Sequence, residues 1–572
     1  MSGYVSGLLS LLAIQTVIAY SVYLPASAGL LNLGSAGFVL IGAYSAGAVT
    51  SLAMGPLWLG LLVGALSAGL IAFVIAFPIL RTQGIYMVLA TFAFAEVVSG
   101  VILNIPELGG AAGLSVMTYA GMDWVWGAAL LVIAFCAWVM STYLGLSLRA
   151  VHDDPNVADL FGVNLRKSKV IAFTLGGAIG GLGGGLLVHH FNFIDVQSTG
   201  VLFSIYVLLY VLLGGTQTVW GPIVGAIFFT LIPEVLRSAA DLNPALKFLE
   251  SARYMIFGVL VVAVMALRPQ GLMTQHTTHA LGRLARRLWP HTPAAPATQS
   301  LSADALPSAG MASTGSSPAA AGTWAIEIHH LQKAFGGLVV IDDVSFKVKM
   351  GSKTALIGPN GAGKSTLFNL LSGVYPIDAG EMRLNGQDIA QVPSRQRIGL
   401  GLSRSFQNIR LMPHLSVLEN TLLGEFHWRP LWQRVKSKAS QERALKALNE
   451  AGLGSFEGQV VSDLPYGTQK KIEIVRALMA RPTVLLLDEP AAGLNSAESL
   501  ELNRFLDSIA KKGITLMVVE HDMPFIRNLC DEVVVLNFGK KIFEGDTHVA
   551  LGHQLVKDAY LGQDSAQSAG EH

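Results

Sequence analysis

The chain has 572 residues, 52% of them hydrophobic and 13% charged, with a mean hydropathy of +0.51 and a formal net charge of +1. Soluble chains carry about 25% charged residues, so a wholly aqueous protein is excluded and much of this chain belongs in lipid. The balanced charge gives no sign of a nucleic-acid partner, and two cysteines, Cys136 and Cys530, cannot build a disulfide framework and read as buried structural thiols.

Apolar segments run through the first half at about 5–24, 29–52, 57–79, 85–105, 123–143, 170–191, 201–214, 219–237 and 253–267, which gives eight or nine spans. Several reach the roughly 20 residues that cross a bilayer. The 201–214 segment is short and reads as re-entrant or broken. Ala26-Ser27-Ala28 resembles a cleavage site, but nothing basic precedes the first segment, so an uncleaved helix is expected. Arg149, Arg166, Lys167 and Lys169 cluster in one loop, and Arg268, Arg283, Arg286 and Arg287 follow the last segment. Both regions are expected on the cytoplasmic side, as is Arg81, with 106–122 outside.

Glycine is dense at Gly29–Gly47 and again at Gly176–Gly185, where Gly176/Gly180 and Gly181/Gly185 have GxxxG spacing. Such stripes read either as tight helix packing or as a backbone-lined solute path with broken helices. Glu96, inside an apolar segment, is either a functional ionisable group or a structural one near the membrane edge. His189 and His190 are adjacent, hence on different helix faces, which argues against a metal pair. In the loop 144–169, Asp154 is placed to cap a short helix that opens at Pro155 and ends at Gly162.

Residues 281–289 are basic and amphipathic, which suits a membrane surface, and 289–322 have the Pro, Ala, Ser, Thr and Gly content of a flexible linker. Three parts are therefore expected: 1–272, a multi-span domain; 273–323, the basic segment and linker; and 324–572, a soluble domain. In the last, Ala325–Val348 reads as a small antiparallel sheet. The apolar run Thr354-Ala355-Leu356-Ile357 then leads into Gly358-Pro359-Asn360-Gly361-Ala362-Gly363-Lys364-Ser365-Thr366. This is strand, GxxxxGK[ST] turn and helix start. Glycines let backbone N–H groups curl around phosphates, and the helix start adds positive potential. Lys364 reaches the β- and γ-phosphates, and the Ser365 hydroxyl is placed for Mg²⁺. The run Val484-Leu485-Leu486-Leu487 ends in Asp488 and Glu489, a buried parallel strand presenting two carboxylates at its C-terminal edge. Asp488 suits Mg²⁺ through water, and Glu489 suits activation of the attacking water.

Taken together, the motifs resemble a known family. The Gly29-Leu30-Leu31-Asn32-Leu33-Gly34 block with Gly42-Ala43-Tyr44, Gly84-Ile85-Tyr86 with Phe94-Ala95-Glu96, and the loop of Arg149, Asp153, Asp154 and Gly162-Val163-Asn164 are similar to permease subunits of branched-chain amino acid ABC importers, the LivM type. So are Leu213-Gly214-Gly215-Thr216, Gly221-Pro222, Gly225-Ala226 and Arg268-Pro269-Gln270-Gly271-Leu272, and this likeness covers residues 5–272. Residues 326–562 resemble the LivG-type ATPase of the same systems. The resemblance implies a polytopic α-helical membrane domain fused to an α/β P-loop ABC ATPase domain. It makes 149–162 the coupling loop and Phe335 the adenine-stacking aromatic. Gln407, in Ser403-Arg404-Ser405-Phe406-Gln407-Asn408, becomes the glutamine-loop contact to Mg²⁺ or water. Gly467 and Gln469, in Leu464-Pro465-Tyr466-Gly467-Thr468-Gln469, belong to the signature that serves the partner's nucleotide, and His521 contacts the γ-phosphate.

Four positions depart from the pattern: Asn32 where a small Ser is expected, Pro465 in place of the signature serine, Tyr466 where a glycine is common, and Asn495 in place of Asp. Pro465 keeps helix geometry but removes a hydroxyl, which predicts two unequal ATP sites in the assembled transporter. The implied function is ATP-driven import of branched-chain amino acids or related small solutes, with ATP and Mg²⁺, at a bacterial cytoplasmic (inner) membrane. A second permease and second ATPase, or a second copy of this chain, and an extracytoplasmic solute-binding protein complete the expected assembly. The rival readings are an ABC exporter half-transporter, disfavoured by too many spans and too short loops, and a membrane-anchored regulatory ATPase.

Overall fold

The computed structural model describes residues 3–82, 84–242, 248–274, 277 and 324–560. The basic segment 281–289, the linker 289–322 and the last two residues of the stretch 326–562, Leu561 and Gly562, lie outside the described residues. The chain divides into two compact units: Met1–Asp153 with Leu165–Pro296, and Asp154–Asn164 with Ala297–His572.

The first unit is helical. Its helices are α1 (Gly3–Ala26), α2 (Ser35–Ser51), α3 (Leu57–Ile79), α4 (Ile85–Leu103), α5 (Met122–Met140) and α6 (Tyr143–Asp153). After α7 (Pro155–Leu160), which belongs to the second unit, come α8 (Leu165–Phe191), α9 (Val201–Gly214), α10 (Gly221–Leu242) and α11 (Phe248–Leu267). All nine apolar segments expected from the sequence are helical. Among the described residues six helices are long and apolar enough to cross a membrane, with Ser35–Ser51, Leu202–Gly214 and Met255–Leu267 as shorter apolar helices.

The stretch read as a loop, 144–169, is mostly helix. Leu144, Leu146, Leu148 and Val151 of α6 are buried, so this helix packs as part of the bundle although it is too short to register as a span. Helix α8 is the centre of the unit and packs on α1, α2 and α3. Its glycines face these neighbours: a Cβ at Gly176 would meet the Ser21 carbonyl, at Gly181 the Gly64 carbonyl, and at Gly184 the Val39 carbonyl. The second glycine stripe is therefore a packing device on three sides. Asn32 has a local duty: its Oδ1 accepts from Gly34 N–H at 2.7 Å just before α2 starts. The segment after α4 forms β1 (Leu114–Ser115), antiparallel to β2 (Phe193–Ile194) after α8. Glu96 is exposed on α4. His189 bonds Thr50 at 2.9 Å while His190 bonds the Ala120 carbonyl at 3.0 Å, so the pair shares no ligand site. Cys136 and Cys530 are free and buried.

The second unit contains two sheets. The expected antiparallel hairpin is β3 (Trp324–Phe335) and β4 (Leu338–Lys349), extended by β6 (Ala379–Leu384) and β7 (Gln387–Asp388) in the order β4-β3-β6-β7. The other sheet uses β5 (Lys353–Ile357), β8 (Leu402–Arg404), β9 (Val484–Asp488), β10 (Thr515–Val519), β11 (Glu532–Asn537) and β12 (Lys540–Asp546) in the order β12-β11-β5-β10-β9-β8. All its pairings are parallel except β11 with β12. Every residue of β9 and β10 is buried, as continuous apolar runs require when both sheet faces are covered. One face packs around Leu367, Phe368 and Met517, the other around Ile474, Leu485 and Phe525. The C-terminal ends of β5, β9 and β10 therefore lead together into the phosphate loop, Asp488-Glu489 and Glu520-His521.

Candidate functional site: the nucleotide-binding centre

The loop after β5 has the backbone that the glycines were chosen to permit. Gly358 has φ +150° and Gly363 φ +99°, and a Cβ on Gly363 would press on Ile341 and the Val340 carbonyl. The helix Lys364–Ser372 follows directly, with Ser365 exposed at its first turn. Pro359, Asn360, Gly361 and Ala362 form the turn between, and Thr366 lies in the helix beyond Ser365. Lys364 Nζ donates to the loop's own carbonyls, Gly358 O at 2.6 Å and Pro359 O at 3.0 Å. Burial lowers the pKa of this amine, and the charges of Glu489 and Asp488 oppose that shift.

Asp488 ends β9 and is buried, with Oδ2 on Arg404 at 2.9 Å and Oδ1 buried without a protein partner. Glu489 follows at φ +45°, a left-handed conformation that costs a residue with a Cβ of order 1 kcal/mol or more. It persists because its surroundings over-determine it: Glu489 N–H donates to Val519 O at 2.8 Å, Gln407 Nε2 donates to Oε2 at 2.9 Å, and His521 Nε2 lies 3.3 Å from Oε1. The structure thus gathers Gln407, Glu489 and His521 into one cluster. Glu520 steadies it from beneath, accepting from Ala491 N at 2.7 Å and His521 N at 3.0 Å, and its burial raises its pKa.

Phe335 stands at the end of β3, 40% exposed, with Tyr375 edge-on at 5.1 Å and Lys333 Nζ 5.2 Å from its ring centre. The signature lies elsewhere. Pro465 precedes the helix Tyr466–Met479, and Gln469 Nε2 turns back to the Leu464 carbonyl at 2.8 Å. None of the described hydrogen bonds joins Gly467 or Gln469 to the phosphate loop. Asn495, the other departure, caps the helix Ser496–Ala510 by accepting from Ala497 N and Glu498 N, so the amide does the capping work of an Asp here.

The residues of the expected coupling loop separate. Arg149 and Asp153 belong to α6 in the first unit, whereas Asp154 and Gly162 bracket α7 in the second. Asp154 Oδ1 caps α7 as expected, accepting from Asn156 N at 3.0 Å and Val157 N at 3.1 Å, and Gly162 leaves the helix at φ +89°. The second unit holds this segment through Asp154–Arg410 at 3.0 Å, Asp159 with Ser394, and Arg476 Cζ 4.7 Å from the centre of the Phe161 ring. Arg476 and Lys470 are wholly buried on the signature helix around Glu473, and Lys470 Nζ donates to Phe406 O at 2.6 Å and Gln407 O at 3.1 Å.

Motif spacing assigns no role to Arg404, Tyr375, Glu520 or Tyr560. Tyr560 accepts a hydrogen bond from Gly358 N at 2.9 Å, a tie from the C-terminal tail to the phosphate loop that spans 202 positions and that no local pattern reports.

Residues 4–265 match the family described as branched-chain amino acid transport system / permease component, and residues 341–492 match the ABC transporter family. The high-affinity branched-chain amino acid transport ATP-binding protein BraF of Pseudomonas aeruginosa is 34% identical over 250 residues, covering 42% of this chain and 98% of that protein. The corresponding LivG of Escherichia coli is 33% identical over 250 residues with the same coverage, 42% and 98%. A solved nucleotide-free ATP-binding cassette from an ABC transporter shares 29% identity, with a TM-score of 0.39, over 41% of this chain and 98% of that one. Both halves point to import rather than to an exporter half-transporter or a regulatory ATPase. The chain belongs to the ABC transporters, as a fusion of a LivM-type permease and a LivG-type ATP-hydrolysing subunit of an importer.

Proposed function

We propose that the chain imports branched-chain amino acids or related small solutes across a bacterial cytoplasmic (inner) membrane, and that the cluster on Glu489 performs the hydrolysis that drives it. Phe335 stacks on adenine beside Tyr375. The loop Gly358–Thr366 encloses the phosphates, with Lys364 exchanging its two carbonyl partners for phosphate oxygens. Glu489 accepts a proton from the attacking water, Gln407 orients that water, and His521 stabilises the γ-phosphate.

Mg²⁺ fits the residues present, since Asp488 Oδ1 is a buried carboxylate oxygen lacking a partner and Ser365 is free at the helix start. Asp488, Ser365 and Gln407 would hold the ion, which neutralises charge on the phosphate oxygens. Gly467 and Gln469 complete the nucleotide site of a second ATPase, supplied by another copy or a separate subunit, and a second permease and an extracytoplasmic solute-binding protein make up the rest.

The observation that carries this reading is Glu489 itself, held at positive φ between Gln407 and His521 at the end of a buried strand. The test is the ATPase rate of the reconstituted complex against binding proteins loaded with candidate solutes. One loaded protein should stimulate it, and Glu489→Gln should abolish the stimulated rate, a fall of about 10²–10⁴-fold for loss of a general base. Activity indifferent to every binding protein would contradict import.

A further inference from the structure

Arg404 is the last residue of β8, and its side chain is only 7% exposed. Its guanidinium serves three acceptors: one terminal nitrogen donates to Asp488 Oδ2 at 2.9 Å, the other to Asn369 Oδ1 at 2.6 Å and Ser372 Oγ at 3.0 Å. Asn369 and Ser372 lie on the helix that the phosphate loop opens. Phe406, next to Gln407, and Phe368 cover the cation at 5.5 and 5.8 Å. The same side chain lines a small cavity shared with Leu160 and Phe161 of the coupling segment and with Arg397. Its Nε is buried and has no partner.

A rigid planar fork can hold a strand-end carboxylate and a helix together, where a lysine would make a single point contact. With Oδ2 held by Arg404, the Asp488 carboxylate is restrained about its side chain and its second oxygen is left buried without a protein partner. The cavity that Arg404 shares with Leu160 and Phe161 leaves the guanidinium less than fully packed on that side, so a shift of those two residues changes what it packs against.

We infer that Arg404 is a positioning residue that sets the metal-side oxygen of Asp488 and transmits displacement of Leu160 and Phe161 to that carboxylate. The inference rests on the reading of Asp488 as the metal-side carboxylate of the ATP site. It places the link between coupling segment and chemistry in a buried arginine as well as in the glutamine loop.

The test uses the full chain in lipid nanodiscs, in a Glu489→Gln background so that nothing turns over. The thermal shift with ATP alone is compared with the shift as Mg²⁺ is added. Arg404→Lys should keep the shift with ATP alone and need about tenfold more Mg²⁺ for half of the additional shift, the scale typical of outer-sphere partners. Phe161→Ala should raise the Mg²⁺ requirement several-fold when Arg404 is present and add nothing in the Arg404→Lys chain.

An unchanged Mg²⁺ requirement in Arg404→Lys overturns the inference. So does an equal effect of Phe161→Ala in both backgrounds, which would route it through Arg476 instead. If Arg404→Lys loses the shift with ATP alone, Phe161→Ala carries the test by itself, and an unchanged Mg²⁺ requirement there overturns the inference. A parent chain that shows no Mg²⁺-dependent shift overturns the reading of Asp488, and the inference with it.

Discussion

Tyr560 shows how a single residue extends the nucleotide site beyond its motifs, and His427 how one beside the Asp154–Asn164 segment carries a pH dependence. Tyr560 satisfies the Gly358 N–H at the point where β5 becomes the phosphate loop. Tyr560→Phe keeps the ring in its apolar seat and leaves that donor without the hydroxyl. A net hydrogen bond is worth about 1 kcal/mol, so ATP should bind about fivefold more weakly while the maximal hydrolysis rate holds. Titration with a fluorescent ATP analogue, paired with KM and kcat, separates the two. His427 lies against Gly162, where a Cβ would press on its own Cβ, and burial holds its pKa down to about 4. Its folded value is below the ordinary 6.5, so the unfolded chain binds the proton more tightly. The stability that comes from keeping this ring neutral is fully present above about pH 6.5 and is lost as pH falls toward 4, at up to about 1.4 kcal/mol per pH unit. His427→Gln should flatten that part of the melting-temperature profile, and an unchanged slope would assign the loss to carboxylates.

At the level of elements, α8 is organised by what it lacks. Seven glycines between Gly176 and Gly185 let α1, α2 and α3 approach its backbone on different sides. Without a hydrophobic drive between helices in lipid, this close contact is the main source of cohesion. Gly184→Ala would drive a methyl into the Val39 carbonyl, so the variant should accumulate poorly and melt earlier in detergent. Gly127→Ala on α5, where nothing lies within 4 Å, is the control and should behave as the parent. The sequence left this stripe open between packing and a solute path, because spacing alone does not say what faces a glycine. The backbone atoms opposite Gly176, Gly181 and Gly184 decide it for those positions.

At the scale of the whole molecule, the chain leaves one compact unit at Asp153, contributes eleven residues to the other, Asp154–Asn164, and returns at Leu165. The grip on those residues is polar and aromatic: Asp154 with Arg410, Asp159 with Ser394, and Phe161 beneath Arg476. Asp154→Asn retains an N-cap side chain but removes the charge facing Arg410. A partly exposed ion pair contributes about 1 kcal/mol or less, so stability should hardly change. The expected effect is on coupling: more ATP hydrolysed per solute moved in proteoliposomes, with the basal hydrolysis rate near that of the parent. An unaltered ratio would show that this pair only fastens the segment.

What the sequence determined by itself was everything with a local cause. The nine apolar runs became helices because their length and composition leave no alternative in lipid, and the phosphate loop followed from glycines at positions that need positive φ. The Asp154 cap followed from an acid before a proline, and the order of motifs named the family. Tertiary structure decided what depends on residues far apart in the chain. Arg404 meets Asp488 across 84 positions, Tyr560 meets Gly358 across 202, and Asp154 meets Arg410 across 256. No periodicity or spacing encodes such pairs, because each exists only once the parallel sheet has brought separate strand ends together and the segment Asp154–Asn164 has packed against its unit.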